Sequence, residues 1–284
     1  MSQQLGAHMS IAGGLEKAFD RGETVGCTAM QIFTANASRW KGKPITEQAA
    51  ARFRARWQES TIGPIFSHDS YLINLASQKD ALWQKSKAAF QEELQRCQQL
   101  GLRGVVMHPG AHLNAGEEAG LERVRRAFDD LLPEVPEEVM ILIENTAAQG
   151  TCLGGPFAHL ATLLNGYPPE RFGVCFDTCH ACAAGYDLAT GEGYQACMEE
   201  FDQLVGLERI QLFHVNDSKK ECGARVDRHA HIGEGAIGQS GFRSLMQDAR
   251  LAHVPKILET PKGEDDRMDL VNLALLRELA GETL

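Results

Sequence analysis

The feature that most constrains the fold of this chain is a repeated alternation of short β-rich runs with longer stretches of helical periodicity. Eight runs read as strands, and they cover residues 5–10, 30–36, 64–70, 104–110, 139–146, 172–180, 210–217 and 255–261. Helical candidates lie between them, including 81–101, 120–132 and the last segment, 268–280. Their apolar residues recur three and four positions apart. Eight such units favour an α/β TIM (β/α)8 barrel over an open doubly wound sheet.

Composition is consistent with one soluble domain. No linker or composition shift divides the 284 residues, so a single domain covering 1–284 is expected. Hydrophobic residues make up 43% and charged residues 23%, and no apolar run approaches the roughly 20 residues that cross a bilayer. The start, MSQQLGAHMS, lacks the features of a signal peptide. We therefore expect a cytoplasmic protein without a membrane partner, whose eight cysteines are reduced thiols or ligands.

The eight predicted strands share a pattern, because each begins with apolar residues and finishes on a polar one. The terminal residues are His8, Asn36, His68, His108, Glu144, Asp177, His214 and Glu259. The following loops add His112, His180, Asp227, His229 and His231, whereas His159 and His253 lie elsewhere. The carboxyl ends of all barrel strands meet on one face, so these residues are expected to surround one cavity. Imidazoles and carboxylates are the ligands of a zinc-type divalent metal.

Each of these residues taken alone also has a purely structural interpretation as a hydrogen-bonded polar group. Glu144 and Glu259 fit that interpretation less well, because a carboxylate that ends a buried apolar strand is costly unless it is paired or metal-bound. Asp227 and His229 stand in D-x-H spacing within an irregular loop. That spacing lets two side chains reach one ion, but it also fits a simple turn.

The segment 174–187 offers a competing interpretation through Cys175, Cys179 and Cys182, whose C-x3-C-x2-C spacing resembles the iron–sulfur motif of radical SAM enzymes. Cys175 lies inside an apolar strand, the motif falls in the sixth unit, and Ala181 stands where that family usually has an aromatic residue. A redox C-x-x-C pair would require a thioredoxin-like context that is missing. We therefore predict small buried thiols.

Eight segments spread over residues 6–263 carry a family resemblance. They are GAHMSIAGGL, HDSYLINLAS, HPGAHL, IENTAAQG, DTCHACAAGYD, HVNDSK, VDRHAHIGEG and ILETPKG. In this order they resemble the endonuclease IV family, which comprises zinc-dependent apurinic/apyrimidinic (AP) endonucleases of base-excision repair within the xylose-isomerase-like TIM barrels. The resemblance implies cleavage of double-stranded DNA 5′ to an abasic sugar, leaving a 3′-hydroxyl. It also implies 3′-phosphodiesterase activity on 3′-blocked ends and a monomeric enzyme.

The resemblance further implies three zinc ions, with Mn²⁺ as an alternative at one site, and Glu144 and Glu259 as catalytic carboxylates. His68, His108 and Glu144 would hold the first ion. Asp177, His214 and Glu259 would hold the second, with Glu144 shared, and His180, Asp227 and His229 would hold the third. Three such ions would bring the formal charge of −10 to about −4, with the added positive charge on the DNA-binding face.

The same resemblance implies DNA contacts in the loops. Tyr71 matches the family's aromatic residue, whereas NASRW places Arg39 one position beyond the expected arginine, which is Ser38 here. Asn36 and Arg228 are further candidates for DNA contacts. Lys41, Lys43, Lys219 and Lys220 fit phosphate contacts and solvated surface lysines equally well. His112, His231, Gln149 and Asn36 are candidate hydrogen-bond partners of ligating histidines.

Two other functions would also be compatible with parts of this sequence pattern. A xylose-isomerase-like sugar isomerase or epimerase would use the same barrel and a divalent metal, but it would not require a third ligand group of His180, Asp227 and His229. A non-catalytic DNA-binding or zinc-binding protein on an inherited barrel would not require the full ligand set.

Overall fold

The fold is a closed parallel barrel, seen in a computed structural model that describes residues 3–134 and 137–282. Around the ring the strands follow the order β1, β10, β7, β6, β5, β4, β3 and β2. The barrel strands are β1 (Leu5–Met9), β2 (Ala29–Ile32), β3 (Ile65–His68), β4 (Gly104–Met107), β5 (Met140–Glu144), β6 (Phe172–Asp177), β7 (Ile210–His214) and β10 (Lys256–Leu258). The TIM-barrel prediction is confirmed, and each of the eight predicted runs overlaps one of these strands.

Most of the helices cover the outside of the barrel, and one, which carries His180, lies at the barrel mouth. The helices are α1 (Lys17–Thr24), α2 (Glu47–Gln58), α3 (Asp80–Leu100), α4 (Glu117–Leu131), α5 (Phe157–Leu164), α6 (Thr178–Ala184), α7 (Gly191–Leu204), α8 (Gly238–Met246) and α9 (Arg267–Leu279). The three predicted helical segments coincide with α3, α4 and α9 to within three residues at each end. Helix α3 stops at Gly101, whose φ of 77° suits a residue without a Cβ and lets its N–H bond back to Gln98 O. In the described ranges no helix is long and apolar enough to cross a membrane.

The barrel interior is filled by one apolar layer. It consists of Ala29, Phe66, Val106, Met140, Leu142, Cys175, Leu212 and Ile257, all buried. Side chains two positions apart in a strand share a face, so the residues that follow this layer by two also point inward, nearer the carboxyl ends. They are Gln31, His68, His108, Glu144, Asp177, His214 and Glu259. The pleat of the strands therefore places a polar ring directly above an apolar one.

Several predicted runs extend beyond their strands, including 172–180, whose last three residues belong to α6, and one run misplaces its polar end residue. The run 30–36 forms a strand only as far as Ile32, so Asn36 lies in the following loop. There its Oδ1 accepts a hydrogen bond of 2.9 Å from the backbone N–H of Ser38. The inward polar residue that β2 contributes is Gln31.

A small antiparallel sheet stands beside the barrel mouth, where an irregular loop was expected. It pairs β8 (Asp217–Ser218) with β9 (His229–Ala230). The buried carboxylate of Asp217 accepts hydrogen bonds from backbone N–H groups of the loop after β9, at Gly233 (3.0 Å), Gly235 (2.9 Å), Ile237 (2.9 Å) and Gly238 (3.2 Å). A Cβ at Gly235 would lie 2.3 Å from Ser218 O, so this close approach requires glycine. The sheet fixes the segment that carries His229.

Candidate metal centre

Glu144 is at the centre of the polar ring. It ends β5 and is fully buried. Its Oε2 lies 3.1 Å from Nε2 of His68 and 3.1 Å from Nε2 of His108. Its Oε1 lies 3.1 Å from Nδ1 of His180 and 3.1 Å from Nδ1 of His214. One carboxylate therefore meets four imidazoles that come from four separate units of the barrel.

The electrostatics of this ring favour cations. Burial by itself would raise the pKa of the Glu144 carboxyl, but His214 and His108 hold that pKa well below its ordinary value. Burial by itself would lower the pKa of His180, yet Asp177, Asp227 and Glu144 raise it well above the ordinary value. The Glu144 carboxyl is thus ionised at neutral pH and places negative charge where a cation can be held.

The first candidate group contains His68, His108 and Glu144, with one donor atom of each lying within 4.8 Å of the others. The Nδ1–H of His68 donates to the backbone oxygen of Asp69 at 2.9 Å, so Nε2 keeps a lone pair that faces Glu144. Among the described residues the buried Nε2 of His108 has no hydrogen-bond partner, although Glu144 is close. Such a nitrogen is costly unless another group occupies the gap.

The second candidate group contains Glu144, Asp177, His214 and Glu259, again within 4.8 Å of one another. Nδ1 of His214 faces all three carboxylates, at 3.1 Å from Glu144, 3.9 Å from Asp177 and 3.3 Å from Glu259. Asn216 ties two of these together, because its Nδ2 donates to Asp177 Oδ2 at 2.7 Å and its Oδ1 accepts from the N–H of Glu259 at 2.8 Å.

The third candidate group contains His180, Asp227 and His229. Nε2 of His180 lies 3.3 Å from Asp227 Oδ2, and Nε2 of His229 lies 3.3 Å from Asp227 Oδ1. The other ring nitrogens donate to backbone oxygens, that of His180 to Asn145 at 2.9 Å and that of His229 to Glu259 at 3.1 Å. In the described chain the buried Nε2 of His229 has no hydrogen-bond partner.

Two observations indicate that these groups fit zinc. Neutral imidazole nitrogens and carboxylate oxygens are its usual ligands, and donors that each lie about 2 Å from one ion are separated by distances of this size. Of the buried ring nitrogens that lack a hydrogen-bond partner among the described residues, those of His108 and His229 each lie close to a carboxylate oxygen. A cation between nitrogen and carboxylate would satisfy both. The structure brings together all nine side chains for which the family resemblance implies a ligand role.

The residues predicted to contact DNA lie around this centre. Tyr71 is 67% exposed, and its ring centroid lies 5.5 Å from that of Phe33 and 6.0 Å from that of His68. A cavity of about 540 Å³ opens beside the centre, with Tyr71, His108, Gln149, His180 and Asp227 among its lining residues. An aromatic ring and members of two ligand groups therefore border one cavity.

The polar candidates for DNA contact occupy exposed loops. Asn36 and Arg39 close a turn in which the N–H of Arg39 donates to Asn36 O at 3.1 Å. Arg228 is exposed and donates from its guanidinium to Asp227 O at 2.6 Å. Its charge thus lies next to the third group.

The predicted partners of the ligating histidines have different positions. Gln149 Oε1 accepts from the N–H of Asp227 at 3.2 Å, so it does contact a candidate ligand. Nδ1 of His112 instead accepts from the N–H of Gly116 just before α4. Nδ1 of His231 lies 3.2 Å from Nδ2 of Asn272 on α9. These bonds tie His112 and His231 to helices rather than to the metal-type groups.

Sequence reasoning missed Asn145, Asn216 and Gln31 as neighbours of the candidate ligands. Asn145 and Asn216 follow barrel strands, and Asn145 Nδ2 donates to Asp177 O at 3.0 Å. Gln31 is fully buried and bonds to both His214 and Glu259. A signal was present, because a glutamine between Met30 and Ile32 in an apolar strand must find a buried partner.

The cysteines do not form a cluster. In residues 3–134 and 137–282, no metal-type group contains more than one of Cys175, Cys179 and Cys182. All three are buried, which confirms that prediction. Burial raises the pKa of each thiol to about 12, so all three are neutral at physiological pH. Neutral thiols are poor metal ligands.

Comparison with known proteins shows the family to which the chain belongs. A family model described as xylose isomerase-like TIM barrel matches residues 19–279. The chain is 54% identical over 281 residues to a protein named probable endonuclease 4 from Geobacter sulfurreducens, covering 98% of this chain and 95% of that protein. Endonuclease IV from Thermus thermophilus has a TM-score of 0.87 at 37% identity, with 99% of this chain and 100% of that chain covered. A D-tagatose 3-epimerase-like protein, with a TM-score of 0.76 at 17% identity over 98% of both chains, shares the fold alone.

Proposed function

The chain belongs to the endonuclease 4 family, and from this premise we propose that it is a zinc-dependent AP endonuclease of base-excision repair. It hydrolyses the phosphodiester 5′ to an abasic sugar in double-stranded DNA and leaves a 3′-hydroxyl. It also removes 3′-blocking groups as a 3′-phosphodiesterase. The observation that carries this proposal is the convergence of nine metal-type side chains into three groups around the shared carboxylate of Glu144.

Three zinc ions fit these groups, with Mn²⁺ as an alternative at one of them. His68, His108 and Glu144 hold one, Glu144, Asp177, His214 and Glu259 hold the next, and His180, Asp227 and His229 hold the third. When bound, clustered metals supply a nucleophile at neutral pH and positive charge opposite the phosphate oxygens. A sugar epimerase that uses one or two metals would not require the third group. The presence of that group therefore favours the nuclease.

Two carboxylates have the central part in this chemistry. Burial would raise the pKa of Glu259, but His214 and a hydrogen bond from His8 lower it well below the ordinary value. Glu144 is ionised for a similar reason. Both therefore hold negative charge at the reacting centre without taking up protons at neutral pH, and both would hold cations there when metal is bound.

The cavity beside the centre supports recognition of an abasic nucleotide. A nucleotide without a base is the least costly to swing out of the duplex, because no stacking or pairing is lost at that position. A cavity of about 540 Å³ bordered by His108, His180 and Asp227 suits an extrahelical sugar-phosphate. The exposed ring of Tyr71 at the same rim can stack on a base next to the gap.

Contacts to the DNA backbone come from the exposed loops. We assign Arg39, Asn36 and Arg228 to them, since guanidinium and amide groups donate to phosphate oxygens. The protein acts as a monomer comprising the whole chain, 1–284, in the cytoplasm, where a bacterial enzyme of this kind meets its substrate.

The test combines elemental analysis of the purified protein with its incubation on a duplex that carries one tetrahydrofuran abasic analogue. About three zinc atoms per chain and a nick on the 5′ side of the analogue are expected. The same duplex with an intact base at that position is the matched control and should remain uncut. A single metal, no nick and turnover of a ketose would instead assign the protein to the sugar epimerases.

A further inference from the structure

We propose that Gln31 is a positioning residue that fixes two members of the second metal group at once, the tautomer of His214 and the direction of the Glu259 carboxylate. The inference rests on the proposed metal centre. It concerns a residue on β2, which like β1 contributes no ligand to the three groups.

The contacts of Gln31 are short and buried. Its Oε1 lies 2.8 Å from Nε2 of His214, and its Nε2 donates to Glu259 Oε1 at 2.7 Å. Gln31 has no exposed surface. One amide therefore connects side chains that lie 183 and 228 residues further along the chain.

Only one orientation of this amide fits its neighbours. Nδ1 of His214 faces the carboxylates of Glu144 and Glu259, so it must keep its lone pair if it is to bind a cation. The proton then sits on Nε2, which donates to Gln31 Oε1. A flipped amide would place its NH₂ against that N–H and its oxygen against Glu259, which gives two repulsive contacts.

His8 lies beside the same amide. Nδ1 of His8 is 2.9 Å from Nε2 of Gln31 and 3.2 Å from Oε1 of Glu259. The amide of Gln31 is thus enclosed by side chains at three other strands, which restricts its orientation. Contacts through Gln31 connect His8 on β1 with His214 at the end of β7 and Glu259 just after β10. The positions of these two second-group side chains therefore depend on all four strands.

Loss of the amide should weaken metal binding at one group only. Without Gln31, the Nε2–H of His214 loses this acceptor and Oε1 of Glu259 loses this donor. Groups that orient ligating histidines and carboxylates typically change metal affinity by about 10- to 100-fold. His68, His180 and His229 donate to backbone oxygens and would keep their tautomers.

The experiment measures zinc retention, not cleavage. The full-length protein loaded with zinc is dialysed against graded concentrations of a chelator, and the metal remaining per chain is counted. Gln31→Met, which keeps the volume but not the hydrogen bonds, should release one ion at a chelator concentration about 10- to 100-fold lower than the wild type. Gln211→Met is the matched control. Gln211 lies on β7, is partly exposed and donates to Glu208 O, so its loss should leave retention unchanged.

Equal release curves for Gln31→Met and the wild type would overturn the proposal. A measurement on the wild type covers the case in which the variant does not fold. Imidazole ¹⁵N NMR should show the His214 proton on Nε2, and a proton on Nδ1 in the zinc-loaded protein would also overturn it. A wild type that retains zinc but does not cut abasic DNA would count against the proposed function alone.

Discussion

Glu144 and His214 lie 70 residues apart in the chain, yet Oε1 of the carboxylate is 3.1 Å from Nδ1 of the imidazole. They end β5 and β7, two strands separated in the ring only by β6. The apolar layer of the barrel lies directly beneath them and excludes water from one side. Their closeness is thus a product of strand register.

Glu259→Gln tests the role of charge at almost constant shape. The amide keeps the volume of the carboxylate but removes the negative charge that faces His214 at 3.3 Å. We expect cleavage of abasic DNA to fall by at least about 100-fold, since a metal-binding carboxylate is weakened. Far-UV circular dichroism should match that of the wild type. Near-normal cleavage would remove Glu259 from the site.

Metal removal should destabilise the whole barrel. Without cations, buried carboxylates face one another and the ring nitrogens of His108 and His229 lack partners within the described structure. A ligand that binds only the folded state at high saturation stabilises by several kcal/mol, so a strong chelator should lower Tm by roughly 5–10 °C. Readdition of zinc should restore it. An unchanged calorimetric Tm would mean that the three groups hold no metal.

Tyr71→Ala should weaken DNA binding but not folding. The side chain is 67% exposed, so the free energy of unfolding should change by no more than about 0.5 kcal/mol. Loss of one stacking ring should raise KM for an abasic duplex about tenfold. Tyr71→Phe is the matched control and should behave like the wild type, because it keeps the ring. An unaltered KM in the alanine variant would place DNA elsewhere.

Lys256 gives a pH dependence far from the metal centre. It begins β10, is buried, and donates from Nζ to Leu251 O and Val254 O at 3.0 Å each. Burial lowers its pKa from 10.5 to about 8. Between these pH values the unfolded chain binds more protons than the folded one, so the lysine's contribution to stability increases as pH rises.

Urea unfolding of the wild type and Lys256→Met measures this effect. From pH 7.5 to 10.5 the difference in free energy of unfolding should shift in favour of the wild type by about 3 kcal/mol. The exposed Lys219→Met serves as the control and should show no such shift. Parallel pH profiles for the wild type and Lys256→Met would show that the ammonium is not desolvated.

The double variant Cys179→Ser with Cys182→Ser addresses the cysteine motif. Burial raises the pKa of both thiols to about 12, so neither is a thiolate at neutral pH. Cleavage of abasic DNA should therefore stay within about twofold of the wild type, with at most modest destabilisation from the buried hydroxyls. Loss of activity together with loss of bound iron and sulfide would instead restore the iron–sulfur interpretation.

The strands and the polar ring were predictable because both follow from local pattern. A polar residue such as His68, Glu144 or His214 at the end of an apolar run is visible in the sequence itself. The barrel fold then brings the carboxyl ends of the strands together. Asn36 was placed on a strand because Phe33 and Thr34 continue a β-type sequence beyond Ile32, where pairing with β3 stops. The end of β2 depends on how β2 pairs with β3, and the sequence of β2 alone does not determine that pairing.

The partners of the ligands were harder to predict for a related reason. Three imidazoles donate to backbone oxygens, those of Asp69, Asn145 and Glu259, and every residue type has such an oxygen. His112 and His231 have suitable side chains but bond to Gly116 and Asn272 instead. Residue type predicts which groups can ligate, whereas three-dimensional packing decides which groups orient them.

The ring closes where β10 pairs with β1, so the beginning and the end of the polypeptide share one seam. Glu259 belongs to the late side of that seam, and His8 and Gln31 belong to the early side. A chain still under synthesis lacks the second metal group until its last strand has emerged and docked. The second candidate group is therefore completed by the same step that closes the barrel.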